Sequence, residues 1–122
     1  MLSHYFPSGQ MTHVFALARE LMRQGHAVHV ANGRVRTLRQ WRYVRALAGP
    51  VSCSIRLGAG HLAAIVRRLR VQVIHAHSKR TFAVGARLAE RTGLPLVITC
   101  HARTLISPEH EPAFAKARRI IC

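Results

Sequence analysis

The stretch VQVIHAHSKRTFAVGARLAERTGLPLVITCH, residues 71–101, decides the fold. A short apolar run, 71–77, leads into a helical pattern and then into a second apolar run, 96–100. The helix is predicted over 80–92, with Gly93 suited to a left-handed cap and Pro95 unable to continue it. LVITC at 96–100 is apolar at consecutive positions, where a half-exposed strand would alternate. Such a run fits a strand covered on both faces, as in parallel sheets flanked by helices.

The same grammar extends outward in both directions. Towards the N-terminus, Leu62, Ile65, Val66 and Leu69 mark a helix, and residues 51–57 read as a strand. A basic helix over 35–47 carries Trp41, Val44 and Leu47 and is closed by Gly49-Pro50. Residues 27–31 read as a strand followed by an Asn32-Gly33 turn. Met11, Val14, Phe15, Ala18, Leu21 and Met22 recur at helical spacing, with Gly25 at the end, and 2–6 form a first strand. Beyond residue 101, a short helix near 109–116 precedes a last apolar run at 119–122. Strands alternating with helices predict one α/β, Rossmann-like, doubly wound parallel sheet over residues 1–122. Met1 stands almost within the first strand and Cys122 within the last, so the sheet is expected to be truncated at both ends.

Composition narrows the class. Nineteen Lys and Arg oppose four acids, giving a net charge of +15. That balance suits an anionic partner, or a solvated Arg-rich surface, since basic residues occur on every predicted helix. Trp41 and Tyr43 are the only aromatics of the basic helix, which argues against sequence-specific nucleic-acid recognition. No run is apolar and long enough to span a bilayer, and no signal-peptide pattern opens the chain, so cytoplasmic residence is expected. Cys53, Cys100 and Cys122 have no C-x-x-C spacing, so neither a disulfide framework nor a cysteine zinc site is expected.

In doubly wound sheets ligands bind beyond the carboxyl ends of the strands, where strand order reverses. Here that point is predicted between the first and fourth strands. Three segments leave those ends: Pro7-Ser8-Gly9-Gln10, His77-Ser78-Lys79 and His101-Ala102-Arg103. Small residues at Ser8 and Gly9 would let a phosphate approach the backbone, and the helix behind them would aim its free N–H groups there. Lys79, Arg80 and Arg103 add charge, and His101 can donate a hydrogen bond or a proton. A glycine at a strand-to-helix turn serves geometry as readily as it serves a ligand. His75 and His77 share one face, and one of them is expected to be a hydrogen-bonded core histidine. The first strand is not followed by G-x-G-x-x-G, and no G-x-x-x-x-G-K-[ST] loop occurs, so neither NAD nor P-loop chemistry is indicated. His75, His77, Cys100 and His101 form the one metal-like set. Adjacent residues of a strand face opposite ways, however, so no metal site is assigned to it.

The segment YFPSGQMTHVFALARELMRQGHAVHV, residues 5–30, resembles the opening of the family 4 (group 1) GT-B-fold glycosyltransferases. VIHAHS at 73–78 and GLPLVITCHA at 93–102 are similar to that family's fourth- and fifth-strand segments, and ARRIIC at 117–122 to the passage after them. The resemblance implies an N-terminal, acceptor-side domain of a retaining enzyme that moves a sugar from a nucleotide-sugar to a glycan or lipid acceptor. It implies no cofactor beyond the donor substrate. Ser8, Gly9 and Gln10 correspond to the donor-phosphate loop, with one glycine of the family's pair replaced. His101 corresponds to the catalytic histidine, and His77, Ser78, Lys79 and Arg103 line the cleft. The family's donor-binding C-terminal domain has no counterpart in these 122 residues. The isolated chain is therefore expected to be inactive, requiring a separate domain, with homo-oligomers and peripheral contact with an anionic inner-membrane surface as further expectations. The alternatives are a non-catalytic module for an anionic lipid or nucleic acid, and another GT-B enzyme such as a sugar-nucleotide epimerase.

Overall fold

A computed structural model of the chain describes residues 1–5, 9–101 and 107–121. Six strands form one parallel sheet: β1 (Leu2–His4), β2 (His29–Gly33), β3 (Ser52–Ser54), β4 (Ile74–Ala76), β5 (Leu96–Thr99) and β6 (Ala117–Ile121). Between them run α1 (Gly9–Arg23), α2 (Leu38–Ala48), α3 (Ala59–Arg68), α4 (Lys79–Thr92) and, after a 3₁₀ turn at Pro108–His110, α5 (Glu111–Lys116). The strand order is β3-β2-β1-β4-β5-β6, with every pairing parallel. The order reverses between β1 and β4, where the sequence placed it.

Right-handed crossovers put α1 and α2 on one face and α3 and α4 on the other. Two cores result. Met11, Val14, Phe15 and Ala18 of α1 close with Val30, Val44, Ala48 and Val51 against the first face. Leu62, Phe82, Ala86, Leu88 and Ala113 close with Leu2, Ile74, Ala76, Leu96 and Ile98 against the second. Burying each large apolar side chain of this kind stabilises the fold by about 1.5–3 kcal/mol. Gly85 lets α4 lie close to the sheet, because a Cβ there would stand 3.0 Å from Leu96 Cδ1 and 3.3 Å from Ala76 Cβ. Helix ends follow the sequence signals. Gly93 adopts φ 70° at the end of α4, and Gly25 adopts φ 90° just after α1.

Several expectations need correction. Asn32-Gly33 is not a turn. Both residues belong to β2, with Gly33 paired to His4. A Cβ on Gly33 would collide with the Leu57 side chain, so close packing explains this glycine and no turn is required. Four of the strands, β1, β3, β4 and β5, are also shorter than their expected runs, β4 keeping three residues of 71–77. Not every strand is buried on both faces: β6, at the sheet edge, exposes Ile120 and Ile121, and Ser52 of β3 is exposed.

Candidate functional site

The switch point is built from α1, β4 and β5. The first helix begins at Gly9, so Gly9 and Gln10 are its first turn and not a preceding loop. No acidic residue stands in that turn, which leaves the positive end of the helix uncompensated over the end of the sheet. A Cβ on Gly9 would meet nothing within 4 Å among the described residues. Gln10 turns elsewhere: its amide Nε2 donates to the backbone carbonyl of His77 at 2.6 Å, tying α1 to the exit of β4. Ser8 and Arg103, the other members of the expected loop and cleft, lie outside the described residues.

Strand alternation places the histidines. Ile74 and Ala76 face the α3/α4 core, so His75 and His77 face the α1 side. On β5, Leu96 and Ile98 join that same core, which turns Thr99 and then His101 to the α1 side as well. Diagonal neighbours across the two strands meet, since His75 itself is in register with Val97. His75 Nε2 and Thr99 Oγ1 are hydrogen bonded at 2.7 Å, making His75 the satisfied structural histidine. His77 Nδ1 and His101 Nε2 lie 3.3 Å apart, with rings 5.5 Å apart and nearly parallel. His77 is buried, while His101 is exposed at the mouth.

The residue that the site analysis of the sequence missed is His13. It lies on the exposed side of α1, one turn after Gly9, and its ring is 4.9 Å from that of His101 and 6.1 Å from that of His77. One ring nitrogen from each of His13, His77 and His101 lies within 4.8 Å of the other two. The available signal was position: His13 falls off the apolar stripe of Met11, Val14 and Phe15, on the helix that starts at the switch point. The metal-like set read from sequence is thereby corrected. His77 and His101 belong to the cluster, whereas His75 is engaged by Thr99, and Cys100 is not a member.

Burial favours the neutral form of His77 and His101. Burial holds His77 far below the ordinary histidine range, with the neighbouring His75 and His101 adding to the shift. Burial also lowers His75, to about 4, and lowers His101, whose second influence is His13. A neutral His101 can accept a proton or a hydrogen bond at one nitrogen and donate at the other. Around this group, Ser78 caps α4, its N–H donating to Thr81 Oγ1 at 3.2 Å, while the Thr81 hydroxyl donates to the Ser78 carbonyl at 2.8 Å. Lys79 and Arg80 follow, exposed in the first turn of α4. Cations at a helix N-terminus oppose its dipole, so they stand as charges available to an anion.

Among the described residues, the N-terminus of α1 and the exposed imidazole of His101 thus lie together at the carboxyl edge of the sheet, where strand order reverses. A family model described as Glycosyltransferase Family 4 matches residues 7–122, nearly the whole chain. The chain belongs to Glycosyltransferase Family 4. Its Rossmann-like sheet is the N-terminal domain of the GT-B architecture. MurG of Acinetobacter baumannii superimposes with a TM-score of 0.76 at 12% identity, over 98% of this chain and 39% of that one. A glycosyltransferase from Rickettsia africae ESF-5 superimposes with a TM-score of 0.68 at 14% identity, over 93% of this chain and 32% of that one. The family 4 chain thus spans between about a third and two fifths of the length of these structural neighbours. No curated protein sequence matches it. Among the described residues of this family 4 domain, no helix is long and apolar enough to cross a membrane.

Proposed function

We propose that this domain forms the acceptor-side wall of a glycosyltransferase cleft, in which a sugar passes from a nucleotide-sugar to a glycan or lipid acceptor with retention at the anomeric carbon. A second, donor-binding domain completes the site. The observation that carries the reading is the placement of Gly9, His77 and His101 at one carboxyl edge. In this arrangement the helix N-terminus and Lys79 attract the donor diphosphate, and neutral His101 hydrogen-bonds the transferred sugar beside it. His77, buried and fixed by Gln10 through its carbonyl, holds the His101 ring in register. Exposed Arg side chains, Arg39, Arg42, Arg67 and Arg80 among them, suit an acceptor held at an anionic membrane surface.

The test joins the 122-residue chain to a donor-binding GT-B domain encoded beside it and assays transfer from a panel of labelled nucleotide-sugars. Transfer by the joined protein, abolished by His101→Ala, is the expected result. Absence of transfer across the panel would overturn the glycosyltransferase reading. Transfer by the 122-residue chain alone would overturn the two-domain part of it.

A further inference from the structure

His13, His77 and His101 come from three separate elements, yet offer three nitrogens within 4.8 Å of one another. None of the four acids joins them. Glu20 is paired with Arg23 and Glu90 with Lys116, while Glu109 and Glu111 lie at the 3₁₀ turn and the start of α5. We propose that these three histidines form a binding site for a zinc-class divalent cation, with a fourth coordination position open to solvent.

Geometry supports this at each ligand. Two imidazole nitrogens on a tetrahedral ion, each about 2.0–2.1 Å from it, stand roughly 3.3–3.4 Å apart. His77 Nδ1 and His101 Nε2 are already at 3.3 Å. His13 brings its nitrogen within 4.8 Å of the other two from an exposed position on α1. His77 is almost wholly buried, so its ring is held in place with Nδ1 turned towards His101. The frame is rigid, since Gln10 pins the His77 carbonyl and Val14, next to His13, is fully buried.

The donor set selects the ion. Three imidazoles without carboxylate or carbonyl favour Zn²⁺, Cu²⁺ or Ni²⁺ over Mg²⁺, Ca²⁺ or Mn²⁺. Three protein ligands and an open position leave the ion accessible, unlike a closed structural site. If the function proposed above holds, the ion occupies the His101 imidazole that the sugar requires, and zinc then inhibits transfer in competition with substrate.

The decisive experiment is binding and does not depend on activity. The purified 122-residue chain is titrated with Zn²⁺ by calorimetry and with Co²⁺ by visible absorption, in the presence of excess Mg²⁺. One equivalent is expected to bind saturably, with the intense visible bands of low-coordinate Co²⁺. His101→Gln and His13→Gln, both surface substitutions, should each weaken binding at least tenfold while circular dichroism and thermal midpoint stay as in the parent. His77→Ala should do the same if it folds; the two surface variants carry the test if it does not. His26→Ala and His61→Ala, exposed and remote from the cluster, should leave binding unchanged. Absence of saturable binding, or a one-equivalent site indifferent to both surface variants, would overturn the proposal. Equal weakening by His26→Ala or His61→Ala would overturn it as well. Zinc binding to the chain without inhibition of the joined transferase would leave the metal site standing and count against the role given to His101.

Discussion

β4 has two faces, and they behave as different molecules. Ile74 and Ala76 point into the α3/α4 core and are 3% and 0% exposed. His75 and His77, their immediate neighbours, point the other way and meet Thr99 and His101. One face is dry hydrocarbon that holds the sheet to its helices; the other is a row of polar rings running to the carboxyl edge. A strand alternates its side chains with period two, so three or four residues suffice to carry a core and a site at once. The contrast explains why the apolar run seen in the sequence coexists with an I-H-A-H pattern. One parity of β4 carries the core, and the other carries the candidate site.

Substitutions can test how cleanly the two roles separate. The largest effect is expected on the polar face. In the two-domain transferase, His101→Ala should lower kcat/KM by about 10²–10⁴, the range for losing a positioned proton-transfer or hydrogen-bonding group. Its unfolding free energy by urea denaturation should stay within about 0.5 kcal/mol of the parent, because His101 is exposed. Loss of stability comparable to that of a core variant would show that the polar face also holds the fold.

On the apolar face, Ile74→Ala should cost about 2–5 kcal/mol of unfolding free energy by leaving a cavity under Phe82 and Leu62. Chemical denaturation measures it directly, and a change below 1 kcal/mol would mean that this half of β4 is loosely packed.

Acid should act on histidines and spare the hydrocarbon. His29 and His75 are both lowered to about 4, chiefly by burial, against an ordinary value of 6.5 in the unfolded chain. The unfolded state therefore binds more protons between these values, and stability falls as pH drops from about 6.5 towards 4. Allowing for partial solvent exposure, these two rings alone should remove roughly 1–2 kcal/mol by pH 5, and the buried His77 acts in the same direction. Urea midpoints at pH 7.5 and 5 read it, and an unchanged midpoint would contradict the burial assigned to these rings.

The smallest effect belongs to the strap between α1 and β4. Gln10→Ala removes the amide that binds the His77 carbonyl, and should cost about 0.5–1.5 kcal/mol. In the joined transferase it should also raise KM for the donor, since the helix N-terminus loses its tether. A Gln10→Glu variant that restored neither property would confirm that donation from the amide is what matters.

Much of the architecture was legible because it depends on local periodicity. The stripe at Met11, Val14, Phe15 and Ala18, the stops at Gly25 and Gly93, and the apolar run before Thr99 each predict an element that forms. The βα alternation and the handedness of crossovers then lead to the switch point between β1 and β4. The errors are equally local. Asn32-Gly33 has turn chemistry, yet β1 pairs with both residues and the ladder overrides the dipeptide's preference. What no local pattern showed is that the Gln10 amide bonds the carbonyl of a residue 67 positions away.

By itself, then, the sequence determined the α/β class, the parallel sheet and the edge at which His77 and His101 emerge. These follow from hydrophobic spacing and chain stops, which act over a few residues. The tertiary structure alone decided which histidine is structural, which pair shares a hydrogen-bonding distance, and that His13 joins them. Those outcomes depend on register between strands and on where α1 docks, set by contacts between residues 24 to 88 positions apart along the chain. No local pattern encodes a distance of that kind, because it exists only after both cores have closed.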